Sequence, residues 1–487
     1  MLGPMRNLKR LAEITRVLVK HKVWVAEIQN NLRQGQRLSL ALQELGPAAI
    51  KFGQALSLRS DLLGEEFAAD LSGLQDRLPP FAGEEAVRVI EAEFSQPLGE
   101  LFSDFTLIPV AAASIAQVHQ AVTWDGQKVA VKVLRPGVRE AFARDLALLY
   151  FLARWFERLR PDLRRLKAIE SLKTLEDTIQ MEMDLRFEAA AAAEMEENFA
   201  DDDDFRIPSV NWQLTGREVM TLEWIDGIPI DEKEELKKLG FDPVKIVEKT
   251  ATAFFNQVFR DGFFHADMHP GNLFVDSAGK VVAVDFGITG RISLETRRYL
   301  GEMLLGFLTS DYRKVAEVHF KAGFVPYHKS VDSFTQACRS IGEPILGKSL
   351  NQISIAKLLG QLFKITETFE METQPQLLML QKSMLLAEGV GRNLAPDSNM
   401  WLLARPLVEN WMRANLGLEA KVRNVALDTL RILQEAPHLI SEFKGGLRLH
   451  PESLKALTGE NRTKGFFPLW LPWALVLVLL IIILLKF

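Results

Sequence analysis

Two acidic motifs in the middle of the chain constrain its fold more than any other feature. The first is HADMHPGN at 265–272, and the second is VDFG at 284–287. Between them, LFVDSAGKVVA places apolar runs on both sides of Ser-Ala-Gly, which predicts a β-hairpin. The sequence therefore predicts that Asp267, Asn272 and Asp285 lie on adjacent segments of backbone.

An acid, an amide and a second acid in this order suit phosphoryl transfer. We expect Asn272 and Asp285 to ligate Mg²⁺, because this ion prefers hard oxygen ligands. Asp267 would lie in a loop near the transferred phosphate. The same spacing, followed by Asp-Phe-Gly, marks the catalytic loop of protein kinases.

The two histidines of the first motif allow a second interpretation, a zinc pair on a helix. His265 and His269 are four residues apart, as in some metalloproteases. We disfavour zinc because Pro-Gly follows at once and disrupts a helix, and because no glutamate lies between the histidines.

A phosphoryl-transfer site also needs a lysine on a strand. Residues 106–135 are predicted to form two strands around a turn at Asp125-Gly126, and the second strand carries Lys132 in the run VAVKV. Its apolar flanks predict a buried strand, with the lysine holding the α- and β-phosphates and pairing with a helical carboxylate. A surface lysine on an edge strand is the alternative.

The surroundings of these motifs differ from those of an ordinary protein kinase. No Gly-x-Gly-x-x-Gly precedes the lysine, and a loop of Ala111, Ala112, Ala113 and Ser114 stands there instead. Because alanine disfavours positive φ, this loop should not fold over phosphates as a glycine-rich loop does. No Ala-Pro-Glu follows the second motif, and helical sequence begins by Ser293, so the segment that docks a protein substrate is missing or very short.

Residues 1–105 are predicted to form helices that are broken at Gly46-Pro47 and Pro79-Pro80, and the KFGQ segment is predicted to be buried on both faces. Leu38, Leu42, Leu45, Ala49, Phe52 and Leu56 form one helical stripe, and Ile50 and Lys51 lie on the opposite side. A buried lysine needs an acidic partner, because an unpaired buried charge is too costly. A solvated Lys51 is the alternative.

The composition limits the partners and the compartment. The 487-residue chain has a net charge of −5, which argues against nucleic acid as a partner. Its one cysteine, Cys338, excludes a disulfide framework and fits a reducing compartment.

The uncharged run FFPLWLPWALVLVLLIIILL at 466–485 predicts one transmembrane helix. At about 1.5 Å per residue it reaches roughly 30 Å, the thickness of the bilayer hydrocarbon. Five basic residues between Lys444 and Lys464 precede it and only Lys486 follows, so the large N-terminal part should be cytoplasmic. A buried core helix is the disfavoured alternative.

The chain resembles the UbiB/AarF family of atypical kinases, which are accessory proteins of ubiquinone biosynthesis. The resemblance rests on KFGQ (51–54), AAAS (111–114), QVH (117–119), VAVK (129–132), EMD (182–184), HADMHPGN (265–272) and DFG (285–287). It implies an α+β, protein-kinase-like bilobal fold with a helical N-terminal extension over the active site. It also implies ATP and Mg²⁺ as cofactors and a site on the bacterial inner membrane. Many members have two C-terminal spans, whereas this chain has room for one.

The resemblance divides the chain into four regions. They are a helical extension at 1–105, a kinase-like N-lobe at 106–228 with inserted helices at 138–200, a helical C-lobe at 229–465, and the transmembrane helix at 466–485. The implied partners are membrane lipid and either proteins or lipid precursors of quinone biosynthesis.

The resemblance also assigns roles to individual residues. The KFGQ helix would be a lid, with Lys51 and Gln54 facing Glu182 and Asp184. Glu188 would pair with Lys132, and Asp267 would complete the catalytic set. The implied nucleotide contacts are Ala111, Ala112, Ala113, Ser114, Lys132, Glu223 and Ile225.

The spacing of the acids predicts how one helix could serve both the lid and the lysine. At roughly 100° per residue, Asp184 and Glu188 share a helix face, whereas Glu182 and Asp184 diverge by about 200°.

Three functions compete at this point: an atypical kinase or ATPase, a pseudokinase scaffold that holds nucleotide without turnover, and an ordinary protein kinase. The complete set of catalytic residue types disfavours the scaffold. The missing docking segment disfavours the ordinary kinase.

Overall fold

The structure is a computed structural model. It describes residues 3–24, 32–57, 78–159, 168–344, 375–396 and 400–416, with isolated positions at 67–74 and 364–371. The helices are α1 Gly3–Lys20, α2 Gln34–Leu45, α3 Pro47–Ser57, α4 Gly83–Phe94, α5 Leu98–Leu101, α6 Val138–Leu159, α7 Ala168–Glu182, α8 Leu185–Asn198, α9 Lys233–Lys238, α10 Pro243–Phe255, α11 Leu294–Leu308, α12 Tyr312–Lys321, α13 Val331–Gly342, α14 Pro375–Leu394 and α15 Met400–Leu416.

The strands fall into three sheets. They are β1 Asp104–Phe105, β2 Ala111–Ala112, β3 Ala116–Val122, β4 Lys128–Leu134, β5 Phe205–Arg206, β6 Val219–Glu223, β7 Gly227–Pro229, β8 Phe263–His265, β9 Leu273–Asp276, β10 Val281–Ala283 and β11 Thr289–Arg291. The first sheet has the order β1-β3-β4-β6 with β2 beside β3, the second has the order β5-β10-β9-β7, and β8 pairs with β11.

The first sheet confirms the predicted pair of strands around the Asp-Gly turn. Gly126 takes a φ of +84°, which glycine adopts without the steric cost of a Cβ. The strand β4 lies between β3 and β6, and Lys132 stands opposite Val118 and Met220. The edge-strand alternative for Lys132 is therefore wrong.

Alternation along β4 separates a face that joins a core cluster from the face that carries Lys132. Val129, Val131 and Val133 are buried in one cluster with Ala86 and Ile90 of α4. Because successive side chains of a strand point to opposite faces, Lys132 lies on the other face. The helix α4 and the strand β1 thus belong with this sheet, although the sequence placed residues up to 105 in a separate helical extension.

The second sheet confirms the hairpin between the two acidic motifs. The strands β9 and β10 are antiparallel, with Val281 opposite Val275 and Ala283 opposite Leu273. Beneath them lies the largest core cluster, which contains Phe254, Phe264 and Phe286 together with residues of α10, α14 and α15. The phenylalanine-rich segment before the first motif therefore forms part of the core beneath this sheet.

The predicted break at Gly46-Pro47 is confirmed: Gly46, with a φ of +99°, follows α2 and Pro47 begins α3, so the apolar stripe is divided between two helices that share one core cluster with Ile50. A second helix prediction is wrong. The acids of EMD do not lie on one helix with Glu188. The chain leaves α7 after Glu182, and Asp184 has extended backbone as the N-cap of α8.

The predicted transmembrane run lies outside the described residues. Within the part of the chain that the structure describes, no helix is both long enough and apolar enough to span a bilayer.

Candidate active site

Lys132 connects the two halves of the site. Its Nζ lies 2.6 Å from Glu188 Oε1 and 3.2 Å from Asp285 Oδ1. Glu188 is buried in the first turn of α8, which Asp184 caps by accepting a hydrogen bond from the Arg186 N–H. A strand, a helix and the Asp-Phe-Gly segment therefore meet at one ammonium group.

One lysine lies between two carboxylates, so the cluster contains more acidic than basic groups. Burial raises the pKa of Glu188 to about 7, and the neighbouring Asp285 adds to this rise while Lys132 opposes it. Although burial acts in the opposite direction, Lys132 holds the pKa of Asp285 below its ordinary value. Asp285 is therefore ionised, and Glu188 is the carboxylate that retains a proton most readily.

Asp285 has an unusual backbone conformation. Its φ is +62°, in the left-handed region that residues other than glycine rarely adopt, and Oδ1 accepts a hydrogen bond from the Gly287 N–H at 3.3 Å. Strain of this kind costs roughly 1–3 kcal/mol and persists where the surroundings enforce it. Here the conformation directs the carboxylate towards Lys132.

The catalytic loop is fixed to the second motif through a buried histidine. The N–H of Asp267 donates to His265 Nδ1 at 3.1 Å, so the other ring nitrogen, Nε2, carries the proton and donates to the Val284 carbonyl at 3.1 Å. Burial lowers the pKa of His265, in keeping with a neutral ring. Both nitrogens are thus used in positioning Asp267 against the strand that precedes Asp285.

Asn272 is held in an orientation that suits a metal ligand. The side-chain Nδ2 of Asn272 donates to the backbone carbonyl of Asp267 at 3.1 Å. The side-chain oxygen, Oδ1, takes no part in this hydrogen bond. The backbone carbonyl of Asn272 accepts a hydrogen bond from the Val284 N–H at 2.9 Å. The structure thereby brings Asn272 and Asp285 onto adjacent segments, as the sequence predicts.

This donor set fits Mg²⁺ bound together with a nucleotide. The ion uses one or two carboxylates and fills its other positions with phosphate oxygens and water. Asp285 supplies an ionised carboxylate, and Asn272 supplies an amide oxygen. Among the described residues no group of three or more His, Cys, Asp or Glu is placed to hold a metal ion, so the phosphates would have to complete the shell.

The predicted lid helix, α3, reaches one of its two predicted acids. Lys51 Nζ lies 3.1 Å from Glu182 Oε2, and both side chains are largely buried. Glu182 ends α7, where a carboxylate faces the negative end of the helix dipole, so the lysine offsets an unfavourable charge. Asp184 has a structural role instead: besides capping α8 it binds the Arg186 guanidinium at 2.9 and 2.7 Å. Gln54 is half-buried on the same helix.

The alanine loop is the tip of a tight hairpin. Ala111 pairs with Val118, which pairs with Lys132, so the three lie in one row across the sheet. The Ala113 N–H donates to the Ala116 carbonyl at 2.7 Å, and none of the four loop residues has a positive φ. In a glycine-rich loop an N–H at this place could turn towards phosphates, but here the Ala113 N–H is engaged within the hairpin. Ser114 is fully buried, and its hydroxyl makes no hydrogen bond in the described structure.

The two remaining predicted nucleotide contacts lie where the first sheet passes into the second. Glu223 ends β6, and the half-buried Ile225 lies in the short link to β7. Arg206 binds both carboxylate oxygens of Glu223 at 3.0 Å and Asp276 Oδ2 at 3.1 Å. The Glu223 side chain thus joins the two sheets, and contact of these residues with nucleotide stays a prediction.

Comparison with known proteins identifies the family. Residues 73–319 match the ABC1 atypical kinase-like domain, and residues 338–399 match the UbiB helical domain. The chain belongs to the UbiB family of atypical kinases. This confirms the resemblance inferred from the motifs.

Two bacterial relatives illustrate the similarity. A protein of Marinobacter nauticus named "Probable protein kinase UbiB" is 43% identical over 420 residues, which cover 85% of this chain and 77% of the relative. A protein of the same name from Pseudomonas entomophila is 41% identical over 448 residues, which cover 91% of this chain and 83% of the relative.

A solved structure supports the kinase-like α+β fold. The Mycobacterium tuberculosis protein Rv3197, determined as an erythromycin complex, is 27% identical with a TM-score of 0.53. The match covers 75% of this chain and 93% of that protein.

Two residues at the site of this UbiB-family chain were not predicted from its sequence. Lys382 of α14 lies 3.0 Å from Asp267 Oδ1, and Arg206 joins Glu223 to Asp276. Lys382 follows Asp267 by 115 residues in a helical segment without a motif, so no local pattern points to it. The sequence carried only a general signal, namely that a buried or clustered acid needs a cation.

Proposed function

We propose that this protein is an Mg²⁺-dependent, ATP-binding atypical kinase or ATPase that acts at the bacterial inner membrane and supports ubiquinone biosynthesis. The observation that carries the proposal is the contact of Lys132 with both Glu188 and Asp285. A lysine held in this way is fixed for the α- and β-phosphates, and the ionised Asp285 is placed to ligate the metal.

The chain's own residues divide the work between binding and proton transfer. Bound MgATP would supply a transferable γ-phosphoryl group with part of its charge neutralised. Glu188 orients Lys132, while Asn272 and Asp285 would hold the metal. Asp267, which is positioned by His265, is placed to accept the proton of an attacking hydroxyl or water.

The segment after Asp-Phe-Gly limits the acceptor. The strand β11 begins at Thr289 and pairs with β8, and α11 follows from Leu294 with Ser293 as its N-cap. This short connection offers no extended segment for a protein substrate. We therefore favour a small or membrane-bound acceptor, or water, over a protein side chain.

The membrane part of the proposal rests on the sequence of the tail. We infer that residues 466–485 form a single transmembrane anchor with the catalytic part on the cytoplasmic side. The partners would then be membrane lipid and proteins or hydrophobic precursors of quinone biosynthesis. Deleting residues 466–487 should give a protein that still binds nucleotide but no longer sediments with liposomes. Flotation equal to that of the full chain would show that another surface anchors the protein.

ATP consumption by the purified protein with liposomes tests the catalytic part. We expect turnover that falls to background in Asp285→Asn. The same variant should weaken binding of MgATP far more than binding of metal-free ATP, because it removes a metal ligand. Equal loss of both would contradict the metal assignment, and tight binding without turnover would favour the pseudokinase scaffold.

A further inference from the structure

The proposed proton acceptor is in contact with a lysine from a distant part of the chain. Lys382 Nζ lies 3.0 Å from Asp267 Oδ1. Lys382 belongs to α14, within the segment that matches the UbiB helical domain at 338–399. The helical domain therefore contributes a charged group to the catalytic loop of the kinase-like domain.

The position of this lysine is fixed by the packing of its helix. The next residue, Ser383, is fully buried, and Val390 and Leu394 lie in the largest core cluster. Met379, Leu380 and Met384 pack against the same cluster. The residues on both sides of Lys382 are thus held by the core, while the ammonium group points to the loop.

Among the described residues, no other cation of the site contacts Asp267 as closely as Lys382. The loop HADMHPGN contains neither lysine nor arginine. Lys132 already lies between two carboxylates. His269 approaches Asp267 only to 3.9 Å, and its Nδ1 accepts from the Gly271 N–H. A phosphoryl group near Asp267 would bring additional negative charge to a loop that, among the described residues, Lys382 contacts with a full positive charge.

We propose that Lys382 is a γ-phosphate contact supplied by the helical domain, which also holds Asp267 in place when no nucleotide is bound. This inference rests on the proposed function and extends it to a residue outside the kinase-like domain. Its ammonium group would hydrogen-bond an oxygen of the γ-phosphoryl group while remaining close to Asp267. Such a charge at the transferred group stabilises the transition state as well as the bound nucleotide.

Lys382 neither forms nor breaks a covalent bond in the reaction. The attacking hydroxyl or water forms a bond to the γ-phosphorus and gives its proton to Asp267. The bond from the γ-phosphorus to the bridging oxygen breaks, and that oxygen keeps the electron pair and leaves with ADP. Lys382 would neutralise the γ-phosphoryl oxygens and keep Asp267 oriented during this exchange.

The direct test compares two nucleotides that differ in the third phosphate. Binding of Mg·AMP-PNP and Mg·ADP is measured by titration calorimetry on the full chain. Lys382→Met should weaken Mg·AMP-PNP roughly tenfold and Mg·ADP less than about twofold, since only the former carries the γ-phosphate. Lys382→Arg should restore most of the loss because it keeps the charge.

Lys233→Met is the matched control. Lys233 Nζ donates to the Asn393 carbonyl at 3.3 Å, so this variant also removes a cation that tethers α14, but at the end away from Asp267. It should change neither nucleotide affinity. In turnover assays Lys382→Met should lower kcat roughly a hundredfold, whereas Lys233→Met should not.

The outcomes separate this inference from the proposed function. If the wild type binds neither nucleotide, both fail. If the wild type binds Mg·AMP-PNP and Lys382→Met weakens both nucleotides equally, or neither, Lys382 is only a tether of α14 and this inference alone is overturned. If the wild type binds nucleotide but does not turn it over, the proposed catalytic role of Lys382 is overturned. The ratio of the affinities for Mg·AMP-PNP and Mg·ADP would still decide whether Lys382 contacts the γ-phosphate.

Discussion

The site contains two lysine–carboxylate contacts that differ in burial. In the pair of Lys132 and Glu188 the side chains are 13% and 8% exposed, whereas in the pair of Lys382 and Asp267 they are 40% and 27% exposed. The first pair is therefore largely shielded from water, and the second can exchange partners with a ligand. A shielded pair fixes geometry because breaking it leaves an unpaired buried charge, whereas an accessible pair can open without a large loss of stability.

Lys132→Met should have the largest effect, because it leaves Glu188 and Asp285 together without a cation. We expect a loss of about 3 kcal/mol in the free energy of unfolding at neutral pH, together with loss of nucleotide binding. The double variant Lys132→Met/Glu188→Gln should recover part of that stability, because position 188 then no longer has to take up a proton in the absence of Lys132. Urea denaturation of both variants checks this, and equal stability of single and double variant would contradict it.

Glu188→Gln should change the pH dependence of stability. The folded-state pKa of about 7 lies above the ordinary value of 4.5, so the folded protein holds a proton that the unfolded chain releases. The resulting stabilisation is complete below the ordinary value and is lost as the pH rises through about 7. Between pH 5 and pH 8 the thermal midpoint of the wild type should therefore decrease more than that of Glu188→Gln. Parallel slopes would show that Glu188 is ionised throughout.

Lys51→Ala should have an intermediate effect, because the exposure of its partner Glu182, 17%, lies between that of Glu188 at 8% and that of Asp267 at 27%. The change leaves Glu182 without its cation at the end of α7, and we expect a loss of about 2 kcal/mol. If the helix acts as a lid, phosphate incorporation from labelled ATP should also increase. Lys51→Ala/Glu182→Gln is the matched variant for the charge, and unchanged stability with unchanged incorporation would make α3 a purely structural helix.

Lys128→Ala should have the smallest effect on stability of these variants. Lys128 Nζ lies 3.5 Å from Asp226 Oδ2 in an exposed pair, and such pairs contribute less than about 1 kcal/mol. We expect no measurable shift in the thermal midpoint and no change in nucleotide affinity. A clear loss of stability would show that exposure is a poor guide to the strength of these contacts.

Local sequence was sufficient where a residue's role depends on its own strand or turn. The hairpin at 273–283 follows from apolar runs around Ser-Ala-Gly, and the separation of Lys132 from the core face of β4 follows from alternation along the strand. The ordered motifs also brought Asp267, Asn272 and Asp285 onto neighbouring segments. The tight Ala113–Ala116 hydrogen bond was not predicted, because turn geometry at residues without a strong turn preference depends on the strands that flank them.

The ends of helices were harder to predict, because a helical spacing of residues in the sequence can continue where the backbone leaves the helical conformation. The break between α2 and α3 at Gly46-Pro47 was predicted, whereas the spacing of Glu182, Asp184 and Glu188 suggested one helix where α7 ends and α8 begins. Gly46 and the good capping residue Asp184 were visible in the sequence. Their conformations were decided by how the neighbouring helices pack.

The sequence by itself determined the family, the acidic motifs, the strand lysine and the pairing of Lys132 with Glu188. These depend on residue types at short spacing or on a motif that identifies the family. Only the tertiary structure decided that Lys382 reaches Asp267 and that Arg206 joins Glu223 to Asp276. The physical reason is that such contacts join segments distant in sequence, and a lone lysine or arginine has no local pattern that names its partner until packing brings the two charges together.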